Sequence, residues 1–171
     1  TMDRLEALAA FVADEARHQN LVSAGTLASM WQRHIADSAQ LLRFVEPQPD
    51  EHWVDLGSGA GFPGLVVALL APCRVTLVES RALRIAYLDR AIDRFGLRGR
   101  VEVAGSALDK VEGFAADYIS ARAFAPLPRL LEGAGRFSTE KTRWLLPKGR
   151  NARAELESIA APWQKLFHVE Q

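Results

Sequence analysis

Apolar residues recur along this chain in two rhythms that alternate. Leu5, Leu8 and Val12 stand at helical spacing in the first twenty residues. From Thr26, a residue suited to an N-cap, the positions Leu27, Met30, Trp31, His34, Ile35, Ser38, Leu41, Leu42 and Val45 carry one helical stripe, which Pro47 and Pro49 end. Two helices over residues 1–46 are expected, forming a cap ahead of a sheet. Trp53 to Leu56 then predicts a short strand, a glycine-rich turn follows, and Pro63 takes the first position of a helix running to Pro72. Val75 to Val78 predicts a second strand. The next helix has Ile85, Leu88, Ile92 and Phe95 on one face and is closed by Gly96. Val101 to Val103, Tyr118 to Ala121 and Trp144 to Leu146 predict three further strands, with a helix near Leu127 to Leu131 before the last of them. Asn151 opens a helix that Pro162 should stop, and Leu166 to Val169 reads as a sixth strand. Strand and helix in alternation, with short connections and right-handed crossovers, imply an α/β fold: a mostly parallel sheet with helices on both faces.

A chain of 171 residues, 49% hydrophobic and 25% charged, can bury one real core and is expected to be one domain, a cap over 1–46 and an α/β core over 52–171. Its longest apolar stretch, Leu65 to Pro72, falls far short of the roughly 20 residues of a membrane span, and no leader pattern opens the chain. A soluble, cytosolic protein with no membrane partner is expected, and a monomer. Cys73 is the single cysteine, so neither an internal disulfide nor a thiolate metal site is indicated, and no metal is expected.

The formal net charge of zero argues against a nucleic-acid binder, but the distribution changes the picture. Arg81, Arg84, Arg90, Arg94, Arg98 and Arg100 face only Asp89 and Asp93 within their stretch, and Arg136, Lys141, Arg143, Lys148, Arg150 and Arg153 face only Glu140. The first 55 residues run the other way, with nine acids against four arginines. Arginine suits bidentate phosphate contact and base stacking; solvated helix faces are the plainer explanation of the same runs.

The loop Val54-Asp55-Leu56-Gly57-Ser58-Gly59-Ala60-Gly61-Phe62-Pro63-Gly64 follows a strand and opens a helix, the context in which glycines bring backbone close to a ligand. Glu79 lies eighteen positions beyond Gly61, at the end of the next strand, where a carboxylate can accept both hydroxyls of an adenosine ribose. Gly59, Gly61 and Gly64 formally satisfy the dinucleotide pattern, so a nicotinamide enzyme is the competing reading. Register opposes it: the strand end is already held by Gly57, and Asp55 beside the loop would repel a pyrophosphate yet welcome the ammonium of a methionine moiety. The arrangement from Asp55 through Gly57, Gly59 and Gly61 resembles the first motif of class I methyltransferases, which use S-adenosylmethionine.

With these residues in view the chain resembles the RsmG (GidB) family of bacterial 16S rRNA guanine-N7 methyltransferases. Gly57-Ser58-Gly59-Ala60-Gly61-Phe62-Pro63-Gly64 is similar to the family's cofactor loop, and its Phe-Pro-Gly ending is more specific than the glycines. Asn20-Leu21, Arg33-His34-Ile35 with Asp37-Ser38, Ala121-Arg122-Ala123-Phe124-Ala125 and Lys148-Gly149 match further stretches, so the resemblance spans most of the chain. It implies a class I, Rossmann-like methyltransferase fold, S-adenosyl-L-methionine as cofactor, and 16S rRNA of the small ribosomal subunit as partner. It also implies that Gly57 and Phe62 line the methionine and ribose region, that Ala107 and Leu108 flank the adenine, and that Arg122 reaches the cofactor from the fourth strand. Two departures stand out: the N-terminal helical region is shorter than the family's, and the family's seventh strand has no counterpart. The chain is therefore expected to be a shortened version, a difference bearing on stability more than on activity.

Guanine N7 carries an exposed lone pair in the ring plane, so attack on a sulfonium methyl needs no deprotonation and no general base. The remaining candidates each carry two readings. His34 is either a core histidine or a catalyst; Arg33 and Asp37 are either a surface ion pair or face the mouth of the site, with Asn20 and Ser38 beside them on the substrate side. Arg122, if not facing an anionic ligand, should pair with Asp55 or Glu79. Lys148 is a phosphate contact, with a catalytic share, or a solvated strand end. Two other functions remain open: methylation of a small molecule or protein on the same fold, and a non-catalytic RNA-binding module.

Overall fold

A computed structural model describes residues 1–170. Five strands form one parallel sheet: β1 (His52–Leu56), β2 (Arg74–Val78), β3 (Val101–Ala104), β4 (Tyr118–Ala121) and β5 (Arg143–Leu145), in the order β3-β2-β1-β4-β5. β1 sits at the centre, where the strand order reverses, so the two loops leaving β1 and β4 diverge and open a crevice at the carboxyl ends of the strands.

Because side chains alternate along a strand, each face of the sheet has its own core. Trp53, Val75, Leu77 and Tyr118 belong to one apolar cluster, with helix α1 (Met2–Glu15), α2 (Gly64–Leu70) and α3 (Ala82–Arg94) supplying Leu5, Leu8, Val12, Leu65, Val66, Tyr87, Leu88 and Ile92. Val54, Leu56, Val78, Ile119 and Ala121 belong to the other, covered by Leu127, Leu130 and Leu131 of α4 (Leu127–Ala134) together with Phe137 and Ile159. The five strand predictions hold to within a residue, and so does the start of the helix after the glycine turn, with Pro63 as N-cap rather than first residue.

Three expectations fail. The single stripe from Thr26 to Val45 is not one α-helix: it is a turn at Ala24–Leu27, a π-helix at Trp31–Ala36, one α-turn at Asp37–Ala39 and a 3-10 turn at Gln40–Arg43. Within the π turn His34 and Ile35 are both buried. The sixth strand, Leu166 to Val169, is absent; Leu166 is exposed, and Phe167 sets its ring edge-on to Trp144 at 6.1 Å instead of pairing backbone with a neighbour. Pro162 does not stop the helix that follows Asn151. That helix, α5 (Ala152–Glu157), ends earlier, and Pro162 lies in the first turn of a separate piece at Ala161–Gln164, where its missing N–H costs nothing.

Candidate active site

The loop leaving β1 is built from backbone that only glycine adopts freely. Gly57, Gly59 and Gly61 have φ of +67°, +56° and +89°. Ser58 N donates to the Val78 carbonyl at 3.0 Å and Gly61 N to the Ser58 carbonyl at 2.7 Å, so the loop closes on itself and on β2. From α3, the buried Tyr87 hydroxyl reaches up to the Ala60 carbonyl at 3.0 Å. Gly64 has no room for a β-carbon, which would meet Leu77 and the Asp55 carboxylate.

Glu79, 6% exposed, caps the end of β2. Its Oε1 accepts from Ser80 N at 2.7 Å and Arg81 N at 2.9 Å, at the start of α3, and its Oε2 accepts from Gly59 N at 3.0 Å, with Arg84 Nη1 3.7 Å away. A carboxylate fixed this way by backbone stands beside the glycine loop and keeps one lone pair, on Oε2, for a ribose hydroxyl. Ala107 and Leu108 follow β3; Ala107 is exposed, and Leu108 packs toward Gly133 of α4.

Asp55 differs from its expected role. It is fully buried on the face of β1 shared with Trp53, and its carboxylate is spent inside the protein: Oδ1 accepts from Ser120 Oγ at 2.7 Å and Oδ2 from Gly64 N at 3.3 Å. Trp53 Nε1 in turn donates to Ser120 Oγ at 2.8 Å. Burial pushes the carboxyl above its usual range against the opposing effect of these bonds. Asp55 therefore ties the loop and α2 to β4 rather than meeting an ammonium directly.

Arg122 projects from the end of β4 into the crevice, pairing with neither Asp55 nor Glu79. Nη1 donates to the Arg33 carbonyl at 2.9 Å and Nη2 to His34 Nδ1 at 2.7 Å, while the guanidinium carbon stands 5.4 Å from the centre of the Phe62 ring. The His34 ring stacks on Phe62, centroids 5.0 Å apart. Desolvation, then the Arg122 charge, lower the His34 pKa to about 4, so the ring is neutral near pH 7. The cap thus lies over the carboxyl ends of the strands, joined there also by Arg84 Nη2 donating to the Asn20 carbonyl at 3.1 Å.

The substrate-side candidates separate. Arg33 is exposed and Asp37 half-buried, and among the described residues they form no ion pair. Ser38 is buried, with its hydroxyl on the His34 carbonyl at 2.5 Å, which removes it from any substrate contact. Lys148 is neither free for a phosphate nor simply solvated: Nζ stands 3.0 Å from Glu155 Oε2, and Glu155 Oε1 also accepts from Leu127 N at 2.9 Å, where α4 begins. Sequence reasoning gave no role to Phe124, Tyr87 or Ser120. Phe124 lies against Gly57, turned there by Ala123 at φ +51°, an angle nothing in the sequence announces. Tyr87 and Ser120 had a signal, as hydroxyls on otherwise apolar faces of a helix and a strand.

Among the described residues no group of three or more His, Cys, Asp or Glu could hold a metal ion, and no helix is long and apolar enough to cross a membrane. The backbone cradle and Glu79 fit an adenosine-bearing ligand such as S-adenosylmethionine. Comparison with known proteins agrees. The family described as rRNA small subunit methyltransferase G (GidB) matches residues 1–171. A ribosomal RNA small subunit methyltransferase G of Rhizorhabdus wittichii is 54% identical over 170 residues, covering 99% of this chain and 78% of the relative. That of Erythrobacter litoralis is 54% identical over 171 residues, covering 99% and 82%. Among solved structures, a SAM-dependent methyltransferase from Aquifex aeolicus superposes with a TM-score of 0.57 at 18% identity, covering 68% of this chain and 65% of that one, a likeness of fold. The chain belongs to the GidB family of rRNA small subunit methyltransferases.

Proposed function

We propose that this protein transfers the methyl group of S-adenosylmethionine to N7 of a guanine in 16S rRNA, acting in the cytoplasm as a monomer. Membership of the family carries the enzyme class, a cofactor-dependent rRNA methyltransferase. The observation that carries the site is the convergence of the glycine loop, Glu79 and Arg122 at the carboxyl ends of adjacent strands.

The cofactor supplies an electrophilic methyl on a sulfonium. In this reading Glu79 meets the ribose diol through Oε2, Gly57, Gly59, Gly61 and Phe62 line the ribose and methionine region, Ala107 and Leu108 flank the adenine, and Arg122 faces the methionine end. Asp55 contributes by holding the loop. N7 needs no deprotonation, so the chain's task is to hold the base with N7 in line with the methyl, an effect that can supply about 7–11 kcal/mol. His34 suits no role as base: its Nδ1 is occupied by Arg122 and its pKa is lowered to about 4. Arg33, Asp37 and Asn20 stand on the cap side of the crevice, where an unstacked guanine of a single-stranded segment would enter. The two arginine-rich segments suit the RNA backbone.

The test is transfer of labelled methyl from S-adenosylmethionine to small ribosomal subunits that lack the modification, mapped by reverse-transcription stops. Label at one guanine N7 is expected. Absence of label, with S-adenosylhomocysteine still binding in calorimetry, would discard the ribosomal substrate while leaving the cofactor.

A further inference from the structure

The segment carrying His34 leaves α-helical winding just where it meets the crevice. Trp31–Ala36 is a π-helix, a rare form found mostly at functional positions because it gives up favourable packing around the helix axis. Its inward-turned histidine is 7% exposed. Arginine has donors only, so the 2.7 Å bond from Arg122 Nη2 requires a lone pair on Nδ1, and the neutral ring must then carry its proton on Nε2. Nε2 is buried and, among the described residues, meets no acceptor. An unpaired buried donor destabilises the fold, and a leucine in the same volume would avoid it.

That bond belongs to a cluster joining three elements. His34 comes from the cap, Phe62 from the loop after β1 and Arg122 from the end of β4; the two rings stack, and the guanidinium lies over the same Phe62 ring. The Arg33 carbonyl takes the other guanidinium nitrogen, so two acceptors on consecutive residues of the π-helix fix the plane of the group.

We infer that His34 is a positioning residue: a neutral ring, protonated on Nε2, that holds the Arg122 guanidinium toward the glycine loop and itself touches neither cofactor nor RNA. The inference rests on the reading that Arg122 faces the cofactor. It assigns His34 to cofactor affinity through Arg122, instead of to proton transfer or to core filling.

Two measurements test it, the first independent of function. In nitrogen NMR of histidine-labelled protein, with His34 assigned by its loss in His34→Asn, the ring should be the neutral Nε2-protonated tautomer, and its Nδ1 signal should move in Arg122→Ala. A proton on Nδ1 overturns the inference. The second is calorimetric affinity for S-adenosylhomocysteine. His34→Ala should weaken binding by about ten- to hundredfold, the loss expected of one hydrogen bond to a charged group. His34→Asn, whose carbonyl can stand where Nδ1 stood, should bind within about threefold of the parent, and His34→Gln, whose carbonyl falls at the Nε2 position, should resemble His34→Ala. In an Arg122→Ala background, His34→Ala should add no further loss. Equal weakening by Asn and Ala, or an additive loss in the double variant, overturns the inference. Unchanged affinity in Arg122→Ala would overturn the assignment of Arg122 and, with it, the functional half of the inference, while the tautomer signal would still support the bond.

Discussion

The ring of Phe124 fills the space that a β-carbon on Gly57 would occupy. Gly57 has φ +67°, and Ala123, with φ +51°, turns the chain after β4 so that Phe124 lies back over the loop. A non-glycine residue in that region costs about 1–2 kcal/mol, and at Ala123 the protein bears it. We expect Gly57→Ala to combine this strain with displacement of the ring and to lower affinity for S-adenosylhomocysteine at least tenfold. Phe124→Ala added to Gly57→Ala should recover part of the loss, because it removes the clash and leaves the strain. Gly57→Asp should abolish methyl transfer with circular dichroism unchanged. Undiminished binding by Gly57→Ala in calorimetry would show that the ligand does not approach this glycine.

Asp55 offers a test of support against contact. Asp55→Ala leaves Gly64 N and the Ser120 hydroxyl without their buried partner, and should cost about 2–4 kcal/mol in denaturant unfolding. Asp55→Asn can accept from Gly64 N and donate to Ser120 Oγ, so it should cost less than about 1 kcal/mol. Because burial raises the carboxyl's pKa, the folded protein binds a proton that the unfolded chain releases, and this residue's contribution falls as pH rises above its ordinary value near 3.8. Asp55→Asn should remove that decline and leave S-adenosylhomocysteine affinity unchanged. A tenfold loss of affinity in Asp55→Asn would restore the direct ammonium contact.

How far this site could be read from the sequence depended on whether local pattern or tertiary packing fixed each part. The central strands were legible because a strand covered on both faces is a continuous apolar run, as Val75 to Val78 shows. Leu166 to Val169 has a similar composition, but composition does not say whether backbone partners exist, and Phe167 packs by its side chain. The two-residue period along β1 already placed Asp55 on the face of Trp53, away from Val54 and Leu56, so its inward direction was available and its charge suggested otherwise. The π winding at His34 was not available, since it follows from contacts with Phe62 and Arg122 that lie far along the chain. The same holds for Phe124, whose place is set by one backbone angle.

Lys148 and Arg33 should part company in RNA binding. Lys148 is occupied by Glu155; burial raises that carboxyl's pKa, but the bonds from Lys148 and Leu127 N outweigh it and hold the group below its usual range. Arg33 is exposed beside the crevice; its carbonyl accepts from Arg122, and among the described residues its guanidinium has no hydrogen-bond or ion-pair partner. A phosphate contact releases counterions, so Arg33→Ala should reduce the slope of log affinity against log salt by about one, and Lys148→Ala should leave it unchanged. Lys148→Ala should also cost no more than about 1 kcal/mol of stability, as a half-exposed pair. Filter binding to 16S rRNA fragments over a salt series measures both slopes, and a reduced slope for Lys148→Ala would mean that RNA displaces Glu155.

The neutral His34 ring should make the fold sensitive to acid in a defined window. Desolvation first, then the Arg122 charge, lower its pKa from about 6.5 to about 4 in the folded protein, and desolvation lowers that of His52 as well. Between pH 6.5 and 4 the unfolded chain takes up a proton at His34 and the folded one does not, so this contribution to stability falls as pH falls through that range and levels off below about 4. Above pH 6.5 neither state carries the proton and the contribution is flat. For His34 alone the loss is at most about 3 kcal/mol. Urea unfolding of the parent and of His34→Asn at matched pH values isolates it, because His52 and Asp55 contribute alike to both proteins and cancel in the difference. The difference should grow from pH 6.5 down to 4 in favour of the variant, which has no proton to exclude. A difference independent of pH would mean that the ring is protonated in the folded state at the same pH as in the unfolded, and would place it outside the desolvated cluster that Arg122 and Phe62 form around it.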